Sequence, residues 1–343
     1  MIGLVKTTKG KGGIELREVP SPSLMSGRVL IKPEAVGVCG SDLERYAGKL
    51  IDYEPPVILG HEFSGTIVEV GENVTRFNRG DRVVCETHAV FCGHCYFCMT
   101  GQHAFCSERK GFGYGVDGAF AERVVARPEV VHFMPSQLSF EECALTEPLC
   151  VALHAIADRV RIKLGDTVAI FGMGPVGLLA LQAVKLYGTT KTVAVDVSEN
   201  IRLKMAKDLG ASRTIASQQR NVEAEIFDHV GRDGVDVSID ASGSPDALRQ
   251  AFKVTKRSGQ VLVIGQHPKP EEVAVGEIVM RQLALIGTHS HTWPTWETAL
   301  KLLSEGEIST KALITNTYPL AEWKQAFETL LSLQGVKAVL RIP

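Results

Sequence analysis

Alternating apolar and polar residues dominate the first part of the chain. Arg28–Pro33, Gly65–Val70 and Arg82–Cys85 follow the two-residue period of a half-buried strand. Turn residues bound them: Met25-Ser26-Gly27, Gly71-Glu72-Asn73 and Asn78-Arg79-Gly80-Asp81. Short strands at this spacing predict an all-β, barrel-like domain over the first 150 or so residues.

The pattern changes near residue 152. A fully apolar run, Thr167–Phe171, leads into glycines and then into a helical period from Gly177 to Tyr187. Strands are predicted at Thr192–Asp196, Val235–Asp240 and Val261–Gly265, and helices at Ile201–Leu209 and Asp246–Thr255. Alternation of this kind implies parallel βαβ units and an α/β fold. The tail from about residue 295 reads as a helix (Trp296–Leu303), a strand, a helix (Ala321–Leu330) and a last strand, Ala338–Ile342.

Composition narrows the class. At 343 residues, 45% of them hydrophobic, the chain can bury two cores without covalent staples. A net charge of -2 leaves no basic excess for phosphate backbones, so no nucleic-acid partner is expected. No apolar run is long enough for a signal peptide or a membrane span, and a soluble, cytoplasmic protein is the expectation. There, clustered cysteines read as metal or redox sites and not as disulfides.

Gly172-Met173-Gly174-Pro175-Val176-Gly177 follows a predicted strand and opens a predicted helix. The first glycine permits a tight turn, the second lets backbone approach a pyrophosphate, and the third lets helix and strand pack closely. Asp196 ends the next strand, about 20 residues beyond Gly177, where an acid meets the adenosine ribose hydroxyls. A carboxylate there repels a 2′-phosphate, so the cofactor expected is NAD.

Four of the eight cysteines fall in Phe91–Cys106 with the spacing C-x2-C-x2-C-x7-C: Cys92, Cys95, Cys98 and Cys106. Four thiolates suit tetrahedral zinc and leave no open position, so this zinc holds a loop and activates nothing. His94 and His103 lie within the loop and are expected to face solvent. Cys85, Cys143 and Cys150 read as small buried residues. Elsewhere stand Cys39, His61, Glu62 and Glu147, none of them persuasive alone. Together they offer a thiolate, an imidazole and two carboxylates, and three protein ligands with one open position is the catalytic zinc arrangement.

Over its length the chain resembles the zinc-dependent medium-chain dehydrogenases. The matching pieces, in order, are VGVCGSD, ILGHEFSG, the four-cysteine loop, DGAFAERVV, EPLCVALHA, the glycine turn and DASGS. EPLCVALHA is similar to the polyol (sorbitol-type) branch. ETHAVFCGHC, CSERKGFG and GTHSHTWPTWETALKLL are similar to the D-arabitol-phosphate dehydrogenase members, although threonine dehydrogenases also carry an ETH-x-x-CG-x-C pattern.

The resemblance implies a GroES-like β-barrel domain, residues 1–153 with 290–343, and a Rossmann domain, a doubly wound parallel sheet, at 154–289. It implies that Cys39 and His61 ligate a catalytic zinc, that Glu62 and Glu147 share or alternate at the remaining position, that Asp42 supports these ligands, and that Ser41 passes the alcohol proton outward. Arg202, Ile264 and Gln266 would join Gly172, Gly174, Pro175, Val176, Gly177 and Asp196 around NAD. The implied reaction is oxidation of a secondary alcohol of a polyol or polyol phosphate, with threonine and butanediol as alternative substrates, by a homo-oligomer (dimer or tetramer). Glu44-Arg45 and Thr288-His289 depart from the sorbitol pattern at substrate-facing positions. Arg45, Arg109 and Lys110 read first as exposed solubility charges, and as phosphate partners if the substrate carries one.

Overall fold

The computed structural model describes residues 1–343. Two compact units emerge: Met1–Glu147 with Thr292–Pro343, and Pro148–His291. The boundaries expected after residues 153 and 289 fall instead after Glu147 and His291. The first lies inside the helix Thr146–Leu153, where no turn signal marks it.

In the first unit a seven-stranded sheet runs in the order Val131–Phe133, Arg82–Cys85, Glu62–Val70, Val29–Gly37, Lys337–Arg341, Ile314–Pro319, with Val124–Ala126 also pairing Val29–Gly37. Val29–Gly37 buries alternate residues at its start, as its pattern predicts. It carries Pro33, tolerated because the register slips between Pro33 and Ala35. The last strand lies inside this sheet: Lys337–Arg341 is antiparallel to Val29–Gly37 on one side and parallel to Ile314–Pro319 on the other. A second sheet joins Ile14–Glu18, Ile2–Lys6 and Val57–Ile58. The core between the sheets includes Leu4, Ile31, Phe63, Ile67, Phe120 and Phe327.

The second unit is a six-stranded parallel sheet. Its order is Arg213–Ala216, Lys191–Asp196, Thr167–Phe171, Val235–Asp240, Thr255–Val263, Ala284–Gly287. In chain order this is 3-2-1-4-5-6, the doubly wound arrangement, whose switch point lies between Thr167–Phe171 and Val235–Asp240. The edge strand Arg213–Ala216 is too short to show a period, and the helix Val222–Val230, capped by Asn221 with Val222 and Ile226 buried one turn apart, adds to the predicted elements. No helix is long and apolar enough to cross a membrane.

Candidate active site and metal centres

Sheet register assembles the first site. Gly37 pairs with Glu62 on one side and with Val339 on the other. Cys39, two residues beyond Gly37, therefore lies beside His61 and Glu62, and Lys337, two before Val339, arrives from the opposite strand. The Cys39 thiol, a His61 ring nitrogen and a Glu62 carboxylate oxygen lie within 4.8 Å of one another. Lys337 forms an ion pair with Glu62 Oε2, and its ammonium also donates to the Val38 carbonyl at 2.9 Å. Gly37 makes room for this pair, because a Cβ there would run into Glu62 Oε2 and Lys337 Cε.

Local structure orients the donors. Cys39 is the N-cap of the helix Gly40–Ala47, and its amide donates to Asp42 Oδ2 at 3.1 Å. The other Asp42 oxygen lies 3.9 Å from His61 Nδ1 and 3.6 Å from Arg45 Nη1. One fully buried carboxylate thus anchors the Cys39 backbone and faces the imidazole. Ser41 Oγ accepts from Arg45 Nη1 at 3.1 Å. Arg45 is only 2% exposed, which corrects its reading as a surface charge. Burial is tolerable because Asp52 receives its Nε and Nη2 at 2.9 and 2.7 Å.

Electrostatics mark this as a site under tension without a cation. Burial, then the Glu62 charge, push the Cys39 thiol far above its usual range. Burial, then Glu62, raise the Glu147 carboxyl to about 7. Burial opposes the Lys337 charge, yet Glu62 and Cys39 outweigh it and hold the ammonium above its ordinary value. A dication would relieve the thiolate and carboxylate penalties together, so a softly liganded metal such as zinc fits the donor set. Glu147, at the start of Thr146–Leu153, is nearly buried and electrostatically coupled to Glu62 and His61, but stands outside the set of mutually close donor atoms.

The four sulfurs of Cys92, Cys95, Cys98 and Cys106 also lie within 4.8 Å of one another. Cys92 and Cys98 are 3.8 Å apart, too far for a disulfide. Tetrahedral zinc with ~2.3 Å bonds requires sulfurs about 3.8 Å apart, so the cage has the right size. The Cys95 amide points at Cys92 Sγ (3.3 Å) and the Cys92 amide at Cys106 Sγ (3.4 Å). The His94 amide, and with it Cys95, lower the Cys92 thiol to about 6, while burial raises Cys98 to about 12. His94 is exposed as expected. His103 is not: it is 7% exposed, and its ring stacks on Phe91 at 4.1 Å. The short turn His103–Phe105 folds the imidazole under the loop, where it buries apolar ring surface. Cys85, Cys143 and Cys150 are fully buried.

In the second unit the glycine turn leaves Thr167–Phe171 at the switch point. Gly172 has φ +94, and a Cβ on it would strike Ser242 of the turn after Val235–Asp240. A Cβ on Gly177 would strike the Gly172 carbonyl. Gly174 is the N-cap of the helix Pro175–Lys185 and has open space in front of it. Pro175 is the first helical residue and Val176 follows, so free amides face that space. Asp196 is 8% exposed; its Oδ1 accepts from the Val197 amide at 2.7 Å and its Oδ2 is buried with no partner. An orphaned carboxylate oxygen beside a glycine cradle suits ribose hydroxyls. Arg202 is half-buried and feels the Asp196 charge. Ile264 and Gln266 follow the neighbouring strand Thr255–Val263; the Ile264 amide donates to the Asp240 carbonyl, and the Gln266 carbonyl abuts Gly243.

Lys337 and Tyr114 went unread in the sequence. Tyr114 meets the His61 ring edge-on at 6.4 Å. A lone lysine in a terminal strand and a tyrosine among glycines carry no local signal.

Residues 25–136 match the alcohol dehydrogenase GroES-like domain family, and residues 175–305 the zinc-binding dehydrogenase family. Sorbitol dehydrogenase of Halalkalibacterium halodurans is 38% identical over 341 residues, covering 99% of each chain. D-arabitol-phosphate dehydrogenase of Enterococcus avium is 34% identical, covering 99% of this chain and 97% of its own. Among solved structures, a zinc-binding dehydrogenase from Sinorhizobium meliloti bound to NADP superposes with a TM-score of 0.91 at 29% identity, covering 99% of this chain and 98% of its own.

Proposed function

The chain belongs to the zinc-dependent medium-chain dehydrogenases of the polyol branch, and from that premise we propose that it oxidises a secondary alcohol of a polyol or polyol phosphate to the ketone, reversibly, with NAD. The observation that carries this reading is the convergence of Cys39, His61 and Glu62 on one point, in a chain that also holds the dinucleotide cradle at Gly172–Gly177.

Cys39, His61 and Glu62 would hold a catalytic zinc, with Glu147 able to approach, and the four-cysteine loop a structural one, giving two per chain. When bound, the catalytic zinc acts as a Lewis acid that lowers the pKa of an alcohol. NAD supplies the hydride acceptor. Ser41 takes the alcohol proton: one Oγ lone pair is occupied by the Arg45 N–H, the second accepts from the substrate hydroxyl, and the serine's own proton passes to solvent water, which reaches the partly exposed Ser41. Asp42 keeps Cys39 and His61 in place. Gly172, Gly174, Pro175, Val176 and Gly177 seat the pyrophosphate, Asp196 and Arg202 the adenosine end, and Ile264 and Gln266 the nicotinamide side. The exposed edge strand Ala284–Gly287, with exposed Val275, Val279 and Met280 nearby in sequence, supports assembly with further copies of the chain.

The test is reduction of NAD and NADP by zinc-loaded protein over free and phosphorylated pentitols and hexitols, butanediol and threonine. Turnover of a polyol or its phosphate with NAD is expected. Absence of reduced cofactor with every alcohol would overturn the proposal.

A further inference from the structure

Arg109 and Arg45 flank one phenol ring, that of Tyr114, with their guanidinium carbons 5.7 and 5.0 Å from its centroid. The same ring faces His61. The two cations are compensated very differently. Arg45 is bidentate to Asp52 and lies 3.6 Å from Asp42. Arg109 has no carboxylate within salt-bridge reach. Its Nε donates to His88 Nδ1 at 2.8 Å and its Nη2 reaches Thr87 Oγ1 at 3.5 Å, both neutral acceptors. Accepting at Nδ1 leaves His88 with its proton on Nε2, which faces Glu86 Oε2 at 3.7 Å. The nearest acid in this chain of contacts is therefore one imidazole away.

The backbone also holds Arg109 in place. Its amide donates to the Cys106 carbonyl at 3.0 Å, and the next residues, Lys110–Gly111, pair with His88–Val90. The guanidinium is thus tied to the end of the four-cysteine loop and half-buried. Lys110, by contrast, is exposed.

A half-buried guanidinium beside a reacting centre, oriented by neutral acceptors and lacking a counter-ion, is complementary to an anion. We propose that Arg109 is a specificity-determining residue that binds an anionic oxygen group, a phosphate ester or a carboxylate, carried by the alcohol substrate. The inference rests on Cys39, His61 and Glu62 being the reacting centre, and it deepens the proposed function by giving the substrate a charge.

The experiment measures kcat and KM of zinc-loaded wild type, Arg109→Gln and Arg109→Lys. The substrates are a free polyol, its monophosphate, and threonine, so that the phosphate and carboxylate sources are separate arms. In the wild type an anionic substrate is expected to be preferred to the free polyol. Arg109→Gln lowers that preference roughly 10- to 100-fold, mostly through KM, the worth of one charge-assisted hydrogen bond. Arg109→Lys retains part of it because the charge remains. The arm that responds more identifies the group. A wild type that prefers the free polyol to both anions, or an equal loss on charged and neutral substrates in Arg109→Gln, would overturn this inference alone. No turnover of any alcohol would overturn it together with the proposed function.

Discussion

Lys337 and Glu62 form an ion pair in which each side chain is only 1% exposed. Lys337 comes from the last strand, Glu62 from a strand two places away in the sheet, and Gly37 between them has no side chain to keep them apart. The pair holds the Glu62 side chain in place beside Cys39 and His61. It also makes the ammonium a competitor of the metal for the same carboxylate.

Lys337→Met should therefore act in two directions. Without zinc, Glu62 is left buried and uncompensated, and breaking a buried pair in this way costs about 3–5 kcal/mol. With zinc, the freed carboxylate meets a dication and much of the loss returns. Thermal unfolding with and without zinc checks this: the zinc-induced rise in Tm should be larger in the variant than in the wild type. An equal rise would mean that Lys337 does not compete for Glu62.

Cys39→Ser and His61→Ala should each lose one zinc of two and at least about 100-fold in activity, since even outer partners of a metal ligand are worth up to that much. The sheet register is independent of both side chains, so the fold should persist. Metal analysis with circular dichroism decides. Full activity in a His61→Ala protein holding a single zinc would remove His61 from the site.

The four-cysteine loop should answer to pH through Cys92. The folded loop favours this thiolate, so its contribution to stability is complete above the ordinary thiol pKa and is lost as pH falls through about 6. Zinc and protons compete for the same sulfur. In the Cys39→Ser protein, which leaves one metal site, the logarithm of apparent zinc affinity should fall with decreasing pH, and more steeply by about one proton below pH ~6. Titration against a competing chelator measures this. Cys98→Ser should lower Tm first and disturb Arg109 second, because Arg109 is tied to the Cys106 carbonyl.

Asp196→Ser removes the carboxylate proposed to exclude a 2′-phosphate and leaves Arg202, which feels the Asp196 charge, near the vacated position. The ratio of kcat/KM for NADP to that for NAD should rise roughly 10- to 100-fold, the worth of relieving one charge repulsion or adding one charged hydrogen bond. Initial rates with both cofactors check it. A wild-type preference for NADP would already contradict the role given to Asp196.

The glycine turn and the four-cysteine loop were legible from local spacing. Each packs its chemistry into a few consecutive residues, and backbone geometry confines such a segment to few shapes. Gly172 needs a positive φ, and Gly177 has no room for a Cβ. The strands Thr167–Phe171, Val235–Asp240 and Arg82–Cys85 were equally legible, because burial of one or both faces leaves a period in the residues. The burial of His103 and Arg45 was not. Each depends on a partner, Phe91 or Asp52, that nothing in the adjacent residues specifies.

By itself the sequence determined the class of the two units, the dinucleotide fingerprint and the thiolate cage, and through its resemblance the identity of Cys39, His61 and Glu62. Only the tertiary structure decided that Lys337 joins them, that Arg45 is neutralised and that Arg109 is not. For Lys337 the physical reason is register: Gly37, Glu62 and Val339 become neighbours through hydrogen bonds between strands far apart in the chain. A one-residue slip would turn every one of these side chains to the other face.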